Sequence, residues 1–205
     1  MKKVKSFFFT AILAVMCAGL NSCDPPERPD GENPPNVIEA KNVIGNTDNV
    51  DSVKAMIYDF ENEKEYVISS TKFENGGFKL TLPSTVLYLN PISFMFDPDE
   101  VIISNMEAKH TILGSGSIGG FDVAGEHIGE FSFYPVDNYN LWSILYYVYL
   151  DRDCTIKTPS NYDEYTVDCS FKKGWNVLYL YESDNPIYTT TKPSEVNLKW
   201  YYYEY

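Results

Sequence analysis

The sequence predicts an all-β fold, an antiparallel β-sandwich followed by an antiparallel β-meander, behind an apolar leader and a proline-rich tether. Three observations carry this expectation. Apolar side chains recur at every second position in successive segments, the period of a strand with one buried face. Aromatic residues make up 16% of the chain, with 17 Tyr and 12 Phe, a composition suited to strands more than to helices. Turn-forming Gly, Asn and Pro punctuate the alternating runs, and little helical periodicity stands between them.

The chain opens with Lys2, Lys3 and Lys5 ahead of an apolar run from Phe7 to Leu20, broken only by Thr10 and Gly19. This is the layout of a secretory signal peptide, and it falls short of the roughly 20 apolar residues that a transmembrane helix needs. Residues 1–22 are therefore expected to be a cleaved signal. The closing segment Leu20-Asn21-Ser22-Cys23 resembles a bacterial lipobox, with Leu three positions before the cysteine and a small Ser just before it; Asn21 departs from the usual small or apolar residue. The resemblance implies that Cys23 takes a diacylglyceryl group. With about 0.8 kcal/mol for each buried CH₂, several acyl chains together hold a protein at a membrane.

Residues 23–36 follow as a tether. Asp24 to Pro35 reads DPPERPDGENPP, which offers too little apolar surface to fold and so stays extended. Acidic residues just after a lipidated cysteine resemble the export signal of surface lipoproteins of the Bacteroidota. Asp51-Ser52-Val53 fits the short Asp-(Ser or Thr)-apolar motif at which those bacteria attach O-glycans, which makes Ser52 a candidate glycosylation site; the same residues also read as a plain strand entry.

Residues 37–106 are expected to form a sandwich-like subdomain. Val53, Ala55 and Ile57 alternate with Lys54, Met56 and Tyr58, and after the Asn75-Gly76-Gly77 turn Phe78, Leu80 and Leu82 alternate with Lys79 and Thr81 up to Pro83. The Gly77, Phe78, Leu80, Leu82 and Pro83 pattern resembles transthyretin-like and carboxypeptidase-regulatory-like β-sandwiches, with an Ig/transthyretin-like first part as the implied fold. Further strands are expected at Ile92 to Phe96, Val101 to Ser104 and Ala108 to Leu113, with a turn at Asp97-Pro98-Asp99.

Residues 107–205 are expected to form the meander, packed on the first subdomain. Gly114, Gly116 and Gly119 match dinucleotide-binding spacing, but Phe121-Asp122-Val123-Ala124-Gly125 does not start the helix that such a motif needs, so a flexible loop is expected. Trp142 to Leu150 is apolar on both faces and reads as a central strand. Val167, Cys169 and Phe171 share one face, as do Trp175, Val177, Tyr179 and Tyr181, and as do Val196, Leu198, Trp200 and Tyr202.

Charge narrows the function classes. All 29 acidic side chains lie beyond Cys23, against 13 of the 16 basic ones, a balance of −16. Phosphates would be repelled, so nucleic acid is excluded as a partner.

Motifs for catalysis are sparse. His110 and His127 are the only histidines, each in a polar strand or Gly-rich loop and expected at the surface. No Gly-x-Ser-x-Gly, His-Glu-x-x-His or Cys-x-x-Cys occurs. No catalytic, cofactor-binding or metal-binding residues are assigned. The neighbouring carboxylates Asp97 with Asp99, Asp151 with Asp153, and Asp163 with Glu164 read as solvated turns, and Asp97, Asp99 and Glu100 could hold calcium only outside any EF-hand loop.

Cys154 and Cys169 form a candidate disulfide. A hairpin centred between Asn161 and Tyr162 would set Cys154 opposite Cys169 and Ile156 opposite Val167. Closing that loop would contribute about 3 kcal/mol, although two buried thiols satisfy the same pattern. At the C-terminus, alternation sends Trp200 and Tyr202 one way and Tyr201 and Tyr203 the other, leaving the second pair as candidate sugar-stacking rings beside Lys199 and Glu204.

Taken together, Leu20 to Cys23, the tether, the Gly77 to Pro83 strand and the Lys173-Gly174-Trp175-Asn176 turn resemble outer-membrane or surface lipoproteins of the Bacteroidota. The resemblance implies membrane attachment and surface display and carries no activity with it; the leading expectation for function is a non-enzymatic module that binds glycans or an outer-membrane partner of a nutrient-uptake complex. A structural or adhesive Ig-like subunit is the alternative, and a carboxylate-dependent hydrolase a third.

Overall fold

The computed structural model describes residues 36–205 except 115, 136–142, 163, 182–183 and 193–197. The described residues fall in one compact unit with its own two apolar cores, and a fragment starting at Asp24 retains all of it. The expected signal, Cys23 and most of the tether lie outside the described residues.

Strands dominate, as the alternation predicts. They are β1 (Val37–Ala40), β2 (Ser52–Asp59), β3 (Lys64–Lys72), β4 (Phe78–Thr81), β5 (Asn90–Pro91), β6 (Ile102–Ile103), β7 (Lys109–Leu113) and β8 (Ile118–Phe121). The later ones are β9 (His127–Pro135), β10 (Ser143–Leu150), β11 (Cys154–Lys157), β12 (Thr166–Phe171), β13 (Gly174–Tyr181), β14 (Ile187–Thr189) and β15 (Leu198–Glu204). A five-stranded sheet runs β15-β9-β8-β2-β3, an eight-stranded sheet runs β5-β7-β10-β13-β14-β12-β11-β6, and β1 pairs with β4. Strands from both sides of residue 106 share the larger sheets, so the boundary expected at 106/107 does not separate two bodies.

The first core lies where the inner face of the five-stranded sheet meets the β1/β4 ribbon and one face of β10 and β13. Val53, Ala55 and Ile57 point into it with Ile38, Phe78 and Leu80, the faces that period-two alternation selects. Phe78 meets Phe131 at 5.0 Å and Trp200 at 5.2 Å, both edge-on. Tyr149 and Trp175 close the core from the other sheet, and the Trp175 indole N–H donates to the Pro83 carbonyl at 2.8 Å, tying in the loop after β4.

The second core shows that the eight-stranded sheet curls. Its edge strands β5 and β6 are joined by only ten residues, Ile92 to Val101, and these include a 3₁₀ turn over Ile92–Phe94. Eight flat strands would set those edges about 34 Å apart, nearly the full reach of so short a link when extended. The sheet therefore rolls around the link. Ile92, Phe96 and Val101 plug the inside against Val148, Leu150, Ile156, Val167, Phe171 and Leu178.

Several expectations change. Ile92 to Phe96 is not a strand: the Ile92 N–H still donates to the Ala108 carbonyl at 3.0 Å, and the chain then turns into the 3₁₀ segment, closed by the Met95 N–H on the Ile92 carbonyl at 3.0 Å. The Gly114 to Gly120 loop holds a strand: after a turn closed by Ser117 N–H to the Gly114 carbonyl, Ile118–Phe121 pairs with β2 and β9. The last third is not a simple meander. β12 and β13 are linked by Lys172 and Lys173 yet splay apart, and β14 fills the wedge, parallel to β12 and antiparallel to β13. The Asn176 side chain clamps the apex, accepting from the Lys172 amide at 2.9 Å and donating to its carbonyl at 2.7 Å.

Candidate functional site

The wedge strand β14 delivers Tyr188 to a cavity of about 410 Å³ on the inner face of the curled sheet. Its floor is Ile112 of β7, Tyr146 of β10, and Leu178 and Leu180 of β13. Tyr146 sits opposite Leu178, and Leu180 opposite Tyr188, in the strand register, so all four project from the same face. The 92–101 link supplies Met95, Phe96, Asp97 and Glu100, and Tyr165 closes the wall just before β12.

The rings meet at near right angles. Phe96 and Tyr188 are 5.4 Å apart at 87°, and Tyr165 and Tyr188 are 6.0 Å apart at 77°. Tyr162 lies edge-on to Tyr165 at 4.9 Å. The Tyr165 hydroxyl donates to Glu100 Oε2 at 2.7 Å. Burial, reinforced by the Glu100 hydrogen bond and charge, holds the Tyr165 phenol well above its ordinary pKa; burial and the charges of Glu100 and Glu164 raise Tyr162 as well. Asp97 is fixed by its own turn, its Oδ1 accepting the Asp99 amide at 2.9 Å and its carbonyl the Glu100 amide at 3.1 Å. The described lining is thus aromatic and apolar with two carboxylates, and it contains no basic side chain.

Of the residues singled out from sequence, Asp97 and Glu100 line this cavity, and the others lie elsewhere. Tyr201 and Tyr203 share one face of the edge strand β15, Tyr201 half-buried and Tyr203 48% exposed, while Trp200 and Tyr202 turn into the core. The loop before β2 bonds to β15 around Tyr201: Ile44 N–H donates to the Trp200 carbonyl and Tyr202 N–H to the Ile44 carbonyl. Ser52 heads β2, half-buried and flanked by Lys72 and Phe121 on the neighbouring strands.

The cysteine register is corrected. Cys154 faces Phe171 and Ile156 faces Cys169, a shift of two residues from the expected pairing, and both cysteines are buried free thiols. A two-residue shift keeps both on the inner face but makes them diagonal neighbours, about 7–8 Å apart, beyond comfortable disulfide reach. Their S–H groups donate instead to the Asn105 and Tyr188 carbonyls at 3.7 and 3.6 Å.

His127 is exposed, as expected, and stacks on Phe121 at 4.8 Å. His110 is not: it is 5% exposed, and burial lowers its pKa to about 4 against the pull of the Asn90 and Pro91 carbonyls. The two histidines stand on different sheets. Asp151 accepts from the Lys109 amide and the Arg152 guanidinium, and Asp153 from the Lys173 amide and the Lys172 ammonium. Each is a cation-paired turn. Asp163 lies outside the described residues.

A second cavity of about 510 Å³ gathers Asp48, Asp51, Asp122 and Glu204. Three of these carboxylates already have partners: Asp51 takes the Lys72 ammonium, Asp122 the amides of Ala124 and Glu126, and Glu204 the Asn46 side-chain amide. Among the described residues no cluster of His, Cys, Asp and Glu is arranged to hold a metal ion, and no helix is long and apolar enough to cross a membrane. No family model matches the chain, and no curated protein or solved structure matches it either.

Proposed function

We propose that this is a lipid-anchored, surface-displayed binding protein that takes its ligand, a glycan or another component of a nutrient-uptake complex, into the cavity between Tyr165 and Tyr188. The observation that carries this reading is the cavity itself: a concave, aromatic-walled space with a few fixed polar groups, the form that small-ligand sites take. The rings supply apolar contact area with hydroxyl handles, and the Glu100 carboxylate adds a hydrogen-bond acceptor in the lining. Leu20 to Cys23 and the acidic tether supply the anchoring part of the proposal.

A glycan-array screen of the soluble Asp24–Tyr205 fragment tests it. Binding that Tyr188→Ala abolishes and Tyr203→Ala leaves intact supports the cavity. Retention that depends on Tyr203 would move the site to β15, and oligomers without any glycan binding would favour the adhesive alternative.

A further inference from the structure

We propose that the cavity between Tyr165 and Tyr188 selects ligands carrying an organic ammonium group, such as an amino sugar or a quaternary amine. This rests on the reading of the cavity as a ligand site and adds the charge of what enters it. Two features of the lining carry it.

The first is the arrangement of the rings. A neutral sugar ring is best held by a flat platform or by parallel rings above and below it. Phe96 and Tyr165 instead stand at 87° and 77° to Tyr188, so the ring planes form corners, with Tyr146 of β10 contributing to the floor. Ring faces and edges turned in different directions suit a compact, roughly spherical group, and a cation gains from the negative ring faces.

The second is charge. Asp97 and Glu100 both line the cavity, with no basic side chain among the described lining residues to offset them. The Tyr165 hydroxyl and the Asp97 turn hold these carboxylates in place. Fixed carboxylates attract any organic cation, and because they accept hydrogen bonds and donate none, a protonated amine adds N–H donors that a quaternary ammonium lacks. An anionic ligand would meet like charge in the cavity and a chain with a balance of −16 around it.

Calorimetric titration of the Asp24–Tyr205 fragment with tetramethylammonium, glucosamine and N-acetylglucosamine decides the matter. Glucosamine is expected to bind at least about tenfold more tightly than its neutral acetylated form, and Glu100→Gln to remove most of that preference. Tyr188→Ala should lose the binding of tetramethylammonium; if that variant fails to fold, the Glu100→Gln arm still decides the inference. Equal affinity for the two sugars, indifference to Glu100→Gln, or no saturable binding of either ammonium probe overturns the inference. The two proposals fail separately. A neutral glycan held through Tyr188 but not Glu100 leaves the binding function standing without the charge preference, and saturable tetramethylammonium with no glycan on any array does the reverse.

Discussion

The Tyr165 hydroxyl donates a 2.7 Å hydrogen bond to Glu100 Oε2, joining the link inside the curled sheet to the entry of β12 across 65 positions of sequence. The bond fixes a ring and a carboxylate of the same cavity relative to each other. Tyr165→Phe keeps the ring and removes the donor, so the fold is expected to lose about 1 kcal/mol while ligand affinity falls because Glu100 gains rotameric freedom. Paired urea unfolding and calorimetry check both effects. Unchanged affinity would separate the hydrogen bond from binding.

His110 makes stability depend on pH. Its folded pKa of about 4 lies below the ordinary 6.5, because burial disfavours the imidazolium, and among the described residues its Nδ1 has no hydrogen-bond partner. A depressed histidine pKa means that the unfolded chain takes up the proton first as pH falls. The stability is therefore intact above about pH 6.5 and declines as pH drops toward 4, by on the order of 3 kcal/mol. Urea midpoints measured across this window should fall in the parent chain, and the slope should shrink in His110→Gln.

A close approach in the five-stranded sheet is equally testable. Gly120 and Gly129 face each other on β8 and β9, and the Tyr202 ring lies over both: a Cβ added at Gly120 would come 2.7 Å from its Cε2, and one at Gly129 would meet its hydroxyl and the Tyr203 carbonyl. Gly129→Ala should cost about 2–3 kcal/mol through overpacking. Gly125→Ala, at a left-handed turn where an added Cβ meets nothing, should cost only about 1 kcal/mol. The buried Tyr202 hydroxyl has no partner among the described residues, so Tyr202→Phe is expected to stabilise by about 1 kcal/mol. Chemical denaturation of the three variants orders them.

Cys154 and Cys169 should titrate as two thiols when the Asp24–Tyr205 fragment is denatured without reductant, and zero would restore the disulfide. In the native fragment alkylation should be slow. Burial pushes the Cys169 thiol up to about 12, leaving little thiolate to react.

The all-β class and most inward faces were legible in the sequence because a strand with one buried side writes itself with period two. Phe78 to Leu82 and Val167 to Phe171 point where their alternation directs them, and so do Val53, Ala55 and Ile57, whereas Met56, expected to face outward, is buried at a register shift between Ala55 and Met56. Pairing register was not legible in the same way. Shifting Cys154 against Cys169 by two residues preserves every inward side chain, so alternation cannot tell the two registers apart. The wedge strand was hidden by its length, since Ile187–Thr189 is too short to show a period, and its parallel pairing with β12 follows from a splay that no local pattern encodes. His110 sits among polar neighbours in sequence, and its burial comes from strands on either side. The cavity was missed for a related reason: Phe96, Glu100, Tyr146, Tyr165 and Tyr188 come from separate segments. The Tyr content was a signal that aromatic surface was available, and Tyr201 and Tyr203 drew attention because they stand two apart on one strand, a relation that the sequence displays directly.

The central claim, that the curled sheet's cavity is where this protein meets its ligand, is tested most directly by following backbone amide resonances of the Asp24–Tyr205 fragment during titration with glucosamine. The account predicts saturable shifts converging on Met95 to Glu100, Tyr146, Tyr165, Leu178 to Leu180 and Tyr188. Shifts gathered on Tyr201 and Tyr203 would contradict it.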